Sequence, residues 1–472
     1  MPDSYDVIVL GAGPTGENVA DRAVRGGLTA AIVESELVGG ECSYWACMPS
    51  KALLRPGAAL AAARGVNGAR QAIADGLDVR AVLERRDSFT SHWKDDGQVQ
   101  WVASAHIDLV RGHGRIDGPR TVTVTAGDGT TRTLTARHAV VVCTGSQAVL
   151  PDLPGLAEAD AWTSRDATSA TQPPDRLAVV GGGVVGCEMA TAWATLGSRV
   201  TMLVRGDGLL PRAEEFVGKA VRVGLNELGV VVQSGVEVTA VDRERAVTLK
   251  LSDGSTLTVD EVLFATGRSP RTDDIGLETI GGKPGAPLRV DTTGRAHDVP
   301  DGWLYAAGDV TGDAPLTHMG KYAARAVGDV IAARAQGRDV ADGPWQKHAT
   351  TALSAAVPQV IFTDPEVGQV GLSEREAVAA GYDVHPVEVD MGSVAGAALY
   401  ADDYRGHAKI VVDTARRVIV GATFVGPDSG ELLQAATIAV AGEVPIDRLW
   451  HAVPAYPTIS EVWLRLLEAY PL

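Results

Sequence analysis

Cysteine is scarce in this sequence: 472 residues contain four, and none follows Cys187. With so few cysteines, two at short spacing are more often catalytic or metal-binding than a structural staple. Apolar runs long enough to span a bilayer are also missing. Basic residues are outnumbered by acidic ones, and the formal net charge is −17. This balance argues against a nucleic-acid partner and against adhesion to an anionic membrane.

The composition is otherwise that of an ordinary globular protein. Apolar residues make up 45% and charged residues 21% of the chain, and its length suggests about two to four domains. The start, MPDSYDVIVL, is acidic and leads directly into an apolar strand pattern, unlike a signal peptide. We therefore expect a cytoplasmic protein.

Two segments repeat a pattern of strand, glycine turn, helix and strand. The first runs from YDVIVL through GAGPTG to TAAIVE, and the second runs from RLAVV through GGGVVG to VTMLV. Glycines at such turns let the backbone approach a pyrophosphate at a helix N-terminus, whose N–H groups attract the anion. One glycine fingerprint is a weak signal, but two in matching register predict two dinucleotide sites. Their glycines are Gly11, Gly13 and Gly16, and Gly181, Gly183 and Gly186.

The two repeats differ at the position that contacts an adenosine ribose. Glu34 lies 18 residues after Gly16, where an acid accepts hydrogen bonds from ribose hydroxyls. The corresponding residue of the second repeat is Val204, and Arg205 follows it. Because an arginine pairs with a 2′-phosphate that a carboxylate would repel, the second site is predicted to prefer NADPH, with NADH as the alternative. The other interpretation of Arg205 is a solvated surface arginine.

Cys42 and Cys47 lie in the segment GGECSYWACMPSK. A zinc site is disfavoured there, because four soft ligands are needed and no CxxC or close histidine pair accompanies these cysteines. A helix that starts beside Cys47 would lower a thiol pKa and favour disulfide exchange. A redox pair and two packed thiols stay open on these grounds. Cys143 and Cys187 are isolated in apolar contexts, and we interpret both as core thiols.

Together these motifs resemble the FAD-dependent pyridine nucleotide–disulfide oxidoreductases, a family that includes dihydrolipoamide dehydrogenase, glutathione reductase and mercuric reductase. The resemblance covers nearly the whole chain through GAGPTG, GGEC and CMPSK, GHGRI, CTGS, GGGVVGCE, ATGRSP, AAGDVTG, FTDPEVGQVGLSE and YPTISE. It implies an α/β fold with two Rossmann-like dinucleotide-binding domains, for FAD and NAD(P), and a C-terminal α+β dimerisation domain. The implied division is 1–149 for the FAD-binding domain, 150–270 for the NAD(P)-binding domain, 271–344 for a central segment that completes the FAD domain, and 345–472 for the dimerisation domain.

The resemblance also assigns site residues. Cys42 and Cys47 would form the redox-active disulfide, with Cys42 exchanging with substrate and Cys47 against the flavin. Lys51 and Glu188 resemble the family's lysine–glutamate pair beside the flavin and the nicotinamide. The remaining cofactor contacts that it implies are Gly40, Gly114, Thr144, Gly145, Asp309 and Thr317 for FAD, and Gly267 for NAD(P).

The sequence departs from the family near its C-terminus. Disulfide-reducing members usually have a histidine before Pro-Thr, contributed by the partner subunit, and a glutamate five residues later. Here Tyr456 replaces the histidine, Glu461 is kept, and His451 lies five residues earlier. Tyrosine titrates near ~10 and histidine near ~6.5. Oxidation of a dithiol, which needs a base, is therefore disfavoured, and reduction of an electron acceptor is favoured.

We predict a homodimeric FAD-dependent oxidoreductase whose active site is shared between subunits. It would pass electrons from NADPH through the Cys42–Cys47 disulfide to a small disulfide or another electrophile, and no metal is expected. Two alternatives stay open: an NADPH quinone reductase with auxiliary cysteines, and a non-catalytic flavoprotein that senses redox state. The bulky Tyr44 and Trp45, and Ala46 in place of the family's usual glycine, are expected to reshape the surroundings of the disulfide.

Overall fold

In a computed structural model, residues 3–297 and 299–471 are described. The chain divides into two compact units, each built from three stretches of sequence. Unit 1 comprises Met1–Met48, Asp87–Ala148 and Arg268–Ser354, and unit 2 comprises Pro49–Arg86, Val149–Gly267 and Ala355–Leu472.

The strands are short and rich in valine, isoleucine and threonine, the residues that favour a pleated, half-buried surface. In chain order they are β1 Ser4–Leu10, β2 Ala30–Glu34, β3 Asp108–Arg111, β4 His113–Ile116, β5 Thr121–Thr125, β6 Thr131–Val142, β7 Ser146–Ala148, β8 Arg176–Val180, β9 Arg199–Val204, β10 Val231–Ser234, β11 Val238–Arg243, β12 Val247–Leu251, β13 Thr256–Val259, β14 Glu261–Phe264, β15 Arg268–Pro270, β16 Leu304–Ala306, β17 Pro358–Ile361, β18 Val367–Gly371, β19 Val384–Asp390, β20 His407–Asp413 and β21 Val418–Val425.

The helices include the two that follow the glycine turns. In chain order they are α1 Pro14–Arg25, α2 Gly40–Tyr44, α3 Cys47–Arg64, α4 Val79–Phe89, α5 Asp96–Ser104, α6 Ser164–Ser169, α7 Val184–Thr195, α8 Glu215–Glu227, α9 Thr317–Ala335, α10 Ala352–Ala355, α11 Glu374–Ala379, α12 Ala395–Tyr400, α13 Ser429–Ala441, α14 Ile446–Leu449 and α15 Val462–Ala469. Short 3₁₀ turns lie at Asp309–Thr311 and Ile459–Glu461, among others.

Unit 1 is organised around a mixed sheet with strand order β3-β2-β1-β6-β5-β4, to which β16 adds by pairing with β6. Strands β1, β2, β3, β6 and β16 pair in parallel, whereas β4 and β5 extend the sheet in antiparallel fashion. The central strands β1 and β2 are buried nearly throughout, as expected for strands covered on both faces of a sheet. This sheet presents the carboxyl end of β1, where the first glycine turn follows, beside the end of β6.

The described residues of unit 2 form three sheets. A parallel sheet has the order β10-β9-β8-β14, a three-stranded antiparallel sheet has the order β11-β12-β13, and a five-stranded antiparallel sheet has the order β17-β18-β21-β20-β19. One hydrophobic core of unit 2 contains both Trp193, from the second repeat, and Val425, from the C-terminal segment. The two Rossmann-like sheets and the C-terminal α+β segment confirm the predicted fold class. The division into four segments stays a prediction.

The repeat predicted from the sequence is observed in both units. The strands expected at YDVIVL, TAAIVE, RLAVV and VTMLV are β1, β2, β8 and β9, and the helices between them are α1 and α7. Helix α15 begins at Val462, directly after the 3₁₀ turn of Ile459–Glu461. Within residues 3–297 and 299–471, no helix has both the length and the apolar character needed to cross a membrane.

Candidate functional site

The first glycine turn, in unit 1, brings three backbone segments into close contact. A Cβ atom at Gly16 would lie 1.9 Å from the Gly11 carbonyl oxygen, and one at Gly11 would lie 2.5 Å from the Cys143 carbonyl oxygen. Both distances are shorter than any side chain tolerates, so glycine is required at the two positions. The turn is thereby pressed against the end of β6, and the N-terminus of α1 opens at Gly13.

The second glycine turn, in unit 2, repeats this geometry. A Cβ at Gly186 would lie 2.2 Å from the Gly181 carbonyl oxygen, and one at Gly181 would lie 2.4 Å from the Ala265 carbonyl oxygen. Gly183, which precedes α7, has open space around it. The matching contacts indicate that the two repeats build the same kind of glycine turn.

Glu34 ends β2 and lies against the first glycine turn. One carboxylate oxygen accepts from the Ala12 amide at 2.7 Å, and the other accepts from the Glu36 amide at 2.7 Å. Burial raises the pKa of this carboxyl, although the two amides act to lower it. Each oxygen keeps a lone pair for a further donor, so Glu34 can accept ribose hydroxyls as the sequence predicts.

The equivalent position in unit 2 is apolar. Val204 is buried, and its methyl group would contact a Cβ at Gly182 at 2.9 Å. Arg205 follows, with 84% of its side chain exposed and its Nε 3.6 Å from the Glu237 carboxylate. An ion pair this exposed is weak, so the guanidinium is available to an anionic ligand.

The two cysteines of the redox motif lie in consecutive helices. Cys42 lies in the middle of α2, and Cys47 begins α3, where the sequence predicts a helix start. Their side chains are thiols that are hydrogen-bonded to each other. This hydrogen bond and burial raise the pKa of the Cys42 thiol, while Thr317 and Lys321 act to lower it. Cys42 therefore holds its proton in the dithiol, and an exchange reaction at Cys42 needs a group that accepts it.

Thr317 is the residue that the structure places beside the pair. Its hydroxyl lies 3.2 Å from the Cys47 Sγ, at the first residue of α9. Asp309, in the preceding 3₁₀ turn, accepts from the Ser146 hydroxyl at 2.5 Å. The Ser146 hydroxyl also accepts from the Arg268 Nε at 2.8 Å. These contacts connect the CTGS and AAGDVTG motifs within unit 1.

The other predicted FAD contacts are glycines and one threonine of unit 1. Gly40 has φ +57°, and a Cβ there would lie 2.8 Å from the Gly13 Cα, so α2 starts directly against the first glycine turn. Gly114, in β4, faces the side chain of Leu10. Thr144 donates from its hydroxyl to the Arg271 carbonyl oxygen at 2.6 Å, and Gly145 has open space around it.

Lys51 and Glu188 form a close ion pair in unit 2. The lysine Nζ lies 2.7 Å from Glu188 Oε2, and Glu188 Oε1 accepts from the Phe362 amide at 3.0 Å. The Phe362 ring centroid is 4.9 Å from the ammonium. Glu188 is 4% exposed, so its carboxylate depends on these partners for its hydrogen bonds. Gly267, the predicted NAD(P) contact of the same unit, has φ +142° and open space around it.

The C-terminal residues Tyr456 and Glu461 differ in their exposure to solvent. Tyr456 is 77% exposed. Glu461 is buried and accepts from the Gly396 amide at 3.2 Å, at the start of α12. A Cβ at Gly396 would lie 1.9 Å from the Thr458 carbonyl carbon. Glu461 thus ties α12 to the segment that contains Tyr456, a contact that sequence reasoning missed.

A second missed feature is a left-handed turn at Ser91–Trp93, with φ angles of 51°, 53° and 55°. Such angles cost on the order of 1–3 kcal/mol for each non-glycine residue, and they persist only where the surrounding structure imposes them. The turn places the Trp93 indole against the end of α2, which contains Cys42. The turn contains no glycine or asparagine, the residues that would indicate a left-handed conformation from the sequence.

The residues of unit 1 fit the FAD that the resemblance implies. Within the described residues, no side chain caps the N-terminus of α1, so its first amides are available to a pyrophosphate. Glu17, in the first turn of α1, has a buried Oε1 with no hydrogen-bond partner among the described residues. Burial raises the pKa of Glu17 to about 7. No cluster of three or more histidine, cysteine or acidic side chains in those residues could hold a metal ion.

Comparisons with known proteins agree with this geometry. Residues 5–337 match the pyridine nucleotide-disulphide oxidoreductase family, and residues 357–466 match its dimerisation domain. Dihydrolipoyl dehydrogenase of Haloferax volcanii is 33% identical over 488 residues, which cover 98% of this chain and 95% of that protein. Mercuric reductase of Staphylococcus aureus is 28% identical over 464 residues, which cover 97% of this chain and 81% of that protein.

Solved structures share the fold. LpdA from Mycobacterium tuberculosis superposes with a TM-score of 0.82 at 25% identity, and the match covers 98% of each chain. The HOCl-induced flavoprotein disulfide reductase RclA from Escherichia coli superposes with a TM-score of 0.84 at 23% identity, and the match covers 99% of each chain.

Proposed function

Because this chain belongs to the pyridine nucleotide–disulphide oxidoreductases, enzymes that use FAD and NAD(P)H, we propose that it transfers electrons from NADPH to a small disulfide or another electrophile. The observation that supports this proposal most directly is the placement of Cys42 in α2 and Cys47 at the start of α3, where the two thiols are close enough to interact. Two thiols in contact can close to a disulfide and open again by exchange.

The two cysteines have different tasks in the reaction. Cys42 attacks one sulfur of a disulfide substrate, which forms a mixed disulfide and releases the first thiol. Cys47 then attacks the Cys42 sulfur, which releases the second thiol and restores the Cys42–Cys47 disulfide. Two electrons pass to the substrate, and each leaving thiolate takes one proton. FAD, when bound, would supply the two-electron chemistry that returns the disulfide to the dithiol at the expense of NADPH.

Thr317 and Lys321 assist the thiols of this cycle. Both lower the pKa of Cys42, which the hydrogen bond to Cys47 and burial otherwise raise. The Thr317 hydroxyl, 3.2 Å from the Cys47 Sγ, can donate to a thiolate there. A charged acceptor makes such a hydrogen bond stronger, so Thr317 favours the ionised form of Cys47.

Lys51 and Glu188 are proposed to assist the transfer of hydride from NADPH to the flavin. Glu188 holds the Lys51 ammonium at 2.7 Å, and the cation would stabilise negative charge on a reduced flavin. Arg205 and the apolar Val204 support NADPH as the electron donor, because β9 ends at Val204 where β2 ends at the Glu34 carboxylate, and the exposed ion pair of Arg205 with Glu237 is weak. The first site, with Glu34 at the matching position, suits the unphosphorylated adenosine of FAD.

The proton donor for the substrate is proposed to come from a second copy of the chain. The dimerisation domain at residues 357–466 supports a homodimer, and Tyr456 is highly exposed in a single chain. In a homodimer, Tyr456 of the partner subunit would supply a proton to the leaving thiolate. A tyrosine suits this direction of reaction, since a proton is given and none is taken from the substrate.

Cys42→Ser tests the proposed function. The variant is expected to lose NADPH-dependent disulfide reduction while it keeps bound FAD, and Ser43→Ala, a change of similar size one residue later, is expected to keep the activity. The assay uses glutathione disulfide, lipoamide and a quinone as acceptors. Full quinone reduction by Cys42→Ser, with no disulfide reduction by the wild type, would instead assign the chain to the quinone reductases.

A further inference from the structure

The residues Ser91–Asp95, named here the clamp segment, contact both ends of the short helix that contains Cys42. The indole N–H of Trp93 donates to the Tyr44 carbonyl oxygen at 3.1 Å, at the C-terminal end of α2. The Asp95 carboxylate accepts from the Val38 amide at 2.8 Å, shortly before α2 begins. One short stretch of chain therefore holds the helix from both sides.

Helix α2 depends on such contacts because it is only five residues long. Isolated helices shorter than ~12–15 residues are marginal in water. Tyr44, which is 1% exposed, adds a contact by donating from its hydroxyl to the Val38 carbonyl oxygen at 3.0 Å. The Trp45 ring lies edge-on to Tyr44, with centroids 5.7 Å apart. The two bulky residues of the redox motif thus belong to the packing that places Cys42.

The clamp segment is itself fixed. Its left-handed turn, Ser91–Trp93, is a conformation that L-residues rarely adopt in succession. At its other end, Asp95 forms an ion pair with Arg111, whose guanidinium also donates to the Glu36 carbonyl oxygen at 2.7 Å. Burial acts to raise the pKa of Asp95, but the hydrogen bonds from Arg111 and Val38 outweigh it and lower the pKa. The carboxylate is charged when it holds α2.

From this geometry we propose that the clamp segment positions Cys42 for bonding to Cys47, which makes Trp93 a positioning residue of the redox couple. The inference rests on the proposed function of the disulfide. A disulfide forms only when the two Cα atoms lie within about 4.4–6.8 Å and the Cβ atoms converge. A helix held at both ends restricts the movement of Cys42 relative to Cys47, which raises the effective concentration of each thiol at the other.

The equilibrium that reports this effect is exchange with glutathione. The two protein thiols and one glutathione disulfide give the protein disulfide and two glutathione thiols. One S–S bond breaks and one forms, and both electrons and both protons pass to glutathione. Loosening the clamp segment lowers the equilibrium constant for protein disulfide formation, since the dithiol gains freedom that the disulfide lacks.

Trp93→Phe tests the proposal, because it keeps an aromatic ring and removes the N–H donor. The full-length FAD-loaded protein is equilibrated in glutathione buffers of known ratio, and its thiols are counted by alkylation. We expect the constant to fall about three- to tenfold, which raises the midpoint potential by ~15–30 mV. The KM for NADPH should not change. Trp101→Phe, at an exposed tryptophan of α5, is the matched control and should leave the constant unchanged.

Asp95→Asn provides a second variant, which decides the matter if Trp93→Phe fails to bind FAD. It keeps an oxygen for the Val38 amide and removes the charge that faces Arg111, so a smaller fall in the same direction is expected. If every folded variant of the clamp segment keeps the same equilibrium constant for disulfide formation, or if Trp101→Phe lowers it equally, the positioning role of the clamp segment is wrong. The proposed function is not affected by that result. A wild type whose thiols never titrate as a disulfide overturns the proposed function and the clamp with it.

Discussion

The Lys51 ammonium lies 2.7 Å from the Glu188 carboxylate, across 137 residues of sequence. Glu188 is almost fully buried, and its second oxygen is held by the Phe362 amide. The lysine comes one helical turn after Cys47 in α3, and the glutamate follows the second glycine turn in α7. The ion pair therefore joins the redox motif to the NAD(P) motif within unit 2.

Removal of the Lys51 ammonium should destabilise the protein, because Glu188 is then buried without its ion-pair partner. Lys51→Met leaves the Glu188 carboxylate with the Phe362 amide alone, and we expect the free energy of unfolding to fall by about 1–3 kcal/mol. Lys51→Met combined with Glu188→Gln should be less destabilised than the sum of the single variants. Urea unfolding measures the cycle. Lys219→Met, in an exposed pair with Glu215, should change stability by less than about 0.5 kcal/mol, and strict additivity at Lys51 and Glu188 would contradict the coupling.

Arg205 should determine the preference for the phosphorylated cofactor. An arginine–phosphate contact contributes roughly 1.5–3 kcal/mol, so Arg205→Ala should raise the KM for NADPH about 10- to 100-fold and leave the KM for NADH nearly unchanged. Steady-state kinetics with both cofactors gives the ratio. Arg245→Ala, at another exposed arginine of unit 2, serves as the control. A parallel rise for both cofactors would show that Arg205 does not read the 2′-phosphate.

Tyr456 should affect the acceptor and not the electron donor. Tyr456→Phe removes the hydroxyl, and we expect turnover with a disulfide acceptor to fall about tenfold or more, as for the loss of a general acid. Reduction by NADPH in a single turnover should keep its rate. Tyr456→His introduces a group that titrates near ~6.5, so oxidation of dihydrolipoamide should increase as the pH rises through that value. Equal activity of the tyrosine and phenylalanine proteins would remove Tyr456 from the mechanism.

Glu17 should make the stability of the protein depend on pH. Its pKa is raised to about 7, mainly by burial, with Lys321 opposing the shift. A raised carboxyl pKa stabilises the folded state below the unfolded pKa of ~4.5, and this contribution is lost as the pH rises through about 7. Glu17→Gln should therefore be more stable than the wild type at pH 8, on the order of 1–3 kcal/mol, and similar to it at pH 4.5.

Urea unfolding of the FAD-loaded protein at the two pH values measures the effect of Glu17. Glu84→Gln, at an acid whose side chain is 66% exposed, should show no such difference between the two pH values. A wild type and a Glu17→Gln variant with parallel stability profiles would contradict the raised pKa.

The repeated motifs were predictable because they depend on local backbone requirements. At Gly16 and Gly186 only glycine fits, because a side chain would overlap a carbonyl oxygen five residues earlier. The spacing of the glycines in the sequence therefore indicates the turn. The Glu34 and Val204 difference follows from register alone, and the structure places each where the register puts it. The start of α3 at Cys47 likewise agrees with the helix expected beside the second cysteine.

Other features depend on contacts between distant segments, which no local pattern records. The left-handed turn that ends at Trp93 contains no glycine, and the Trp93 indole contacts Tyr44, 49 residues away. Glu461 was predicted from its spacing to Tyr456, yet its hydrogen bond goes to Gly396, 65 residues away. The raised pKa of Glu17 arises from burial, which an apolar helix pattern does not reveal.

The most direct test of the central claim, that Cys42 and Cys47 are a second redox centre beside the flavin, is an anaerobic titration of the purified protein with NADPH. The account predicts uptake of about four electrons per FAD, two by the flavin and two by the disulfide, with two new thiols that react with an alkylating reagent. Uptake of only two electrons per FAD, with no new thiols, would contradict it.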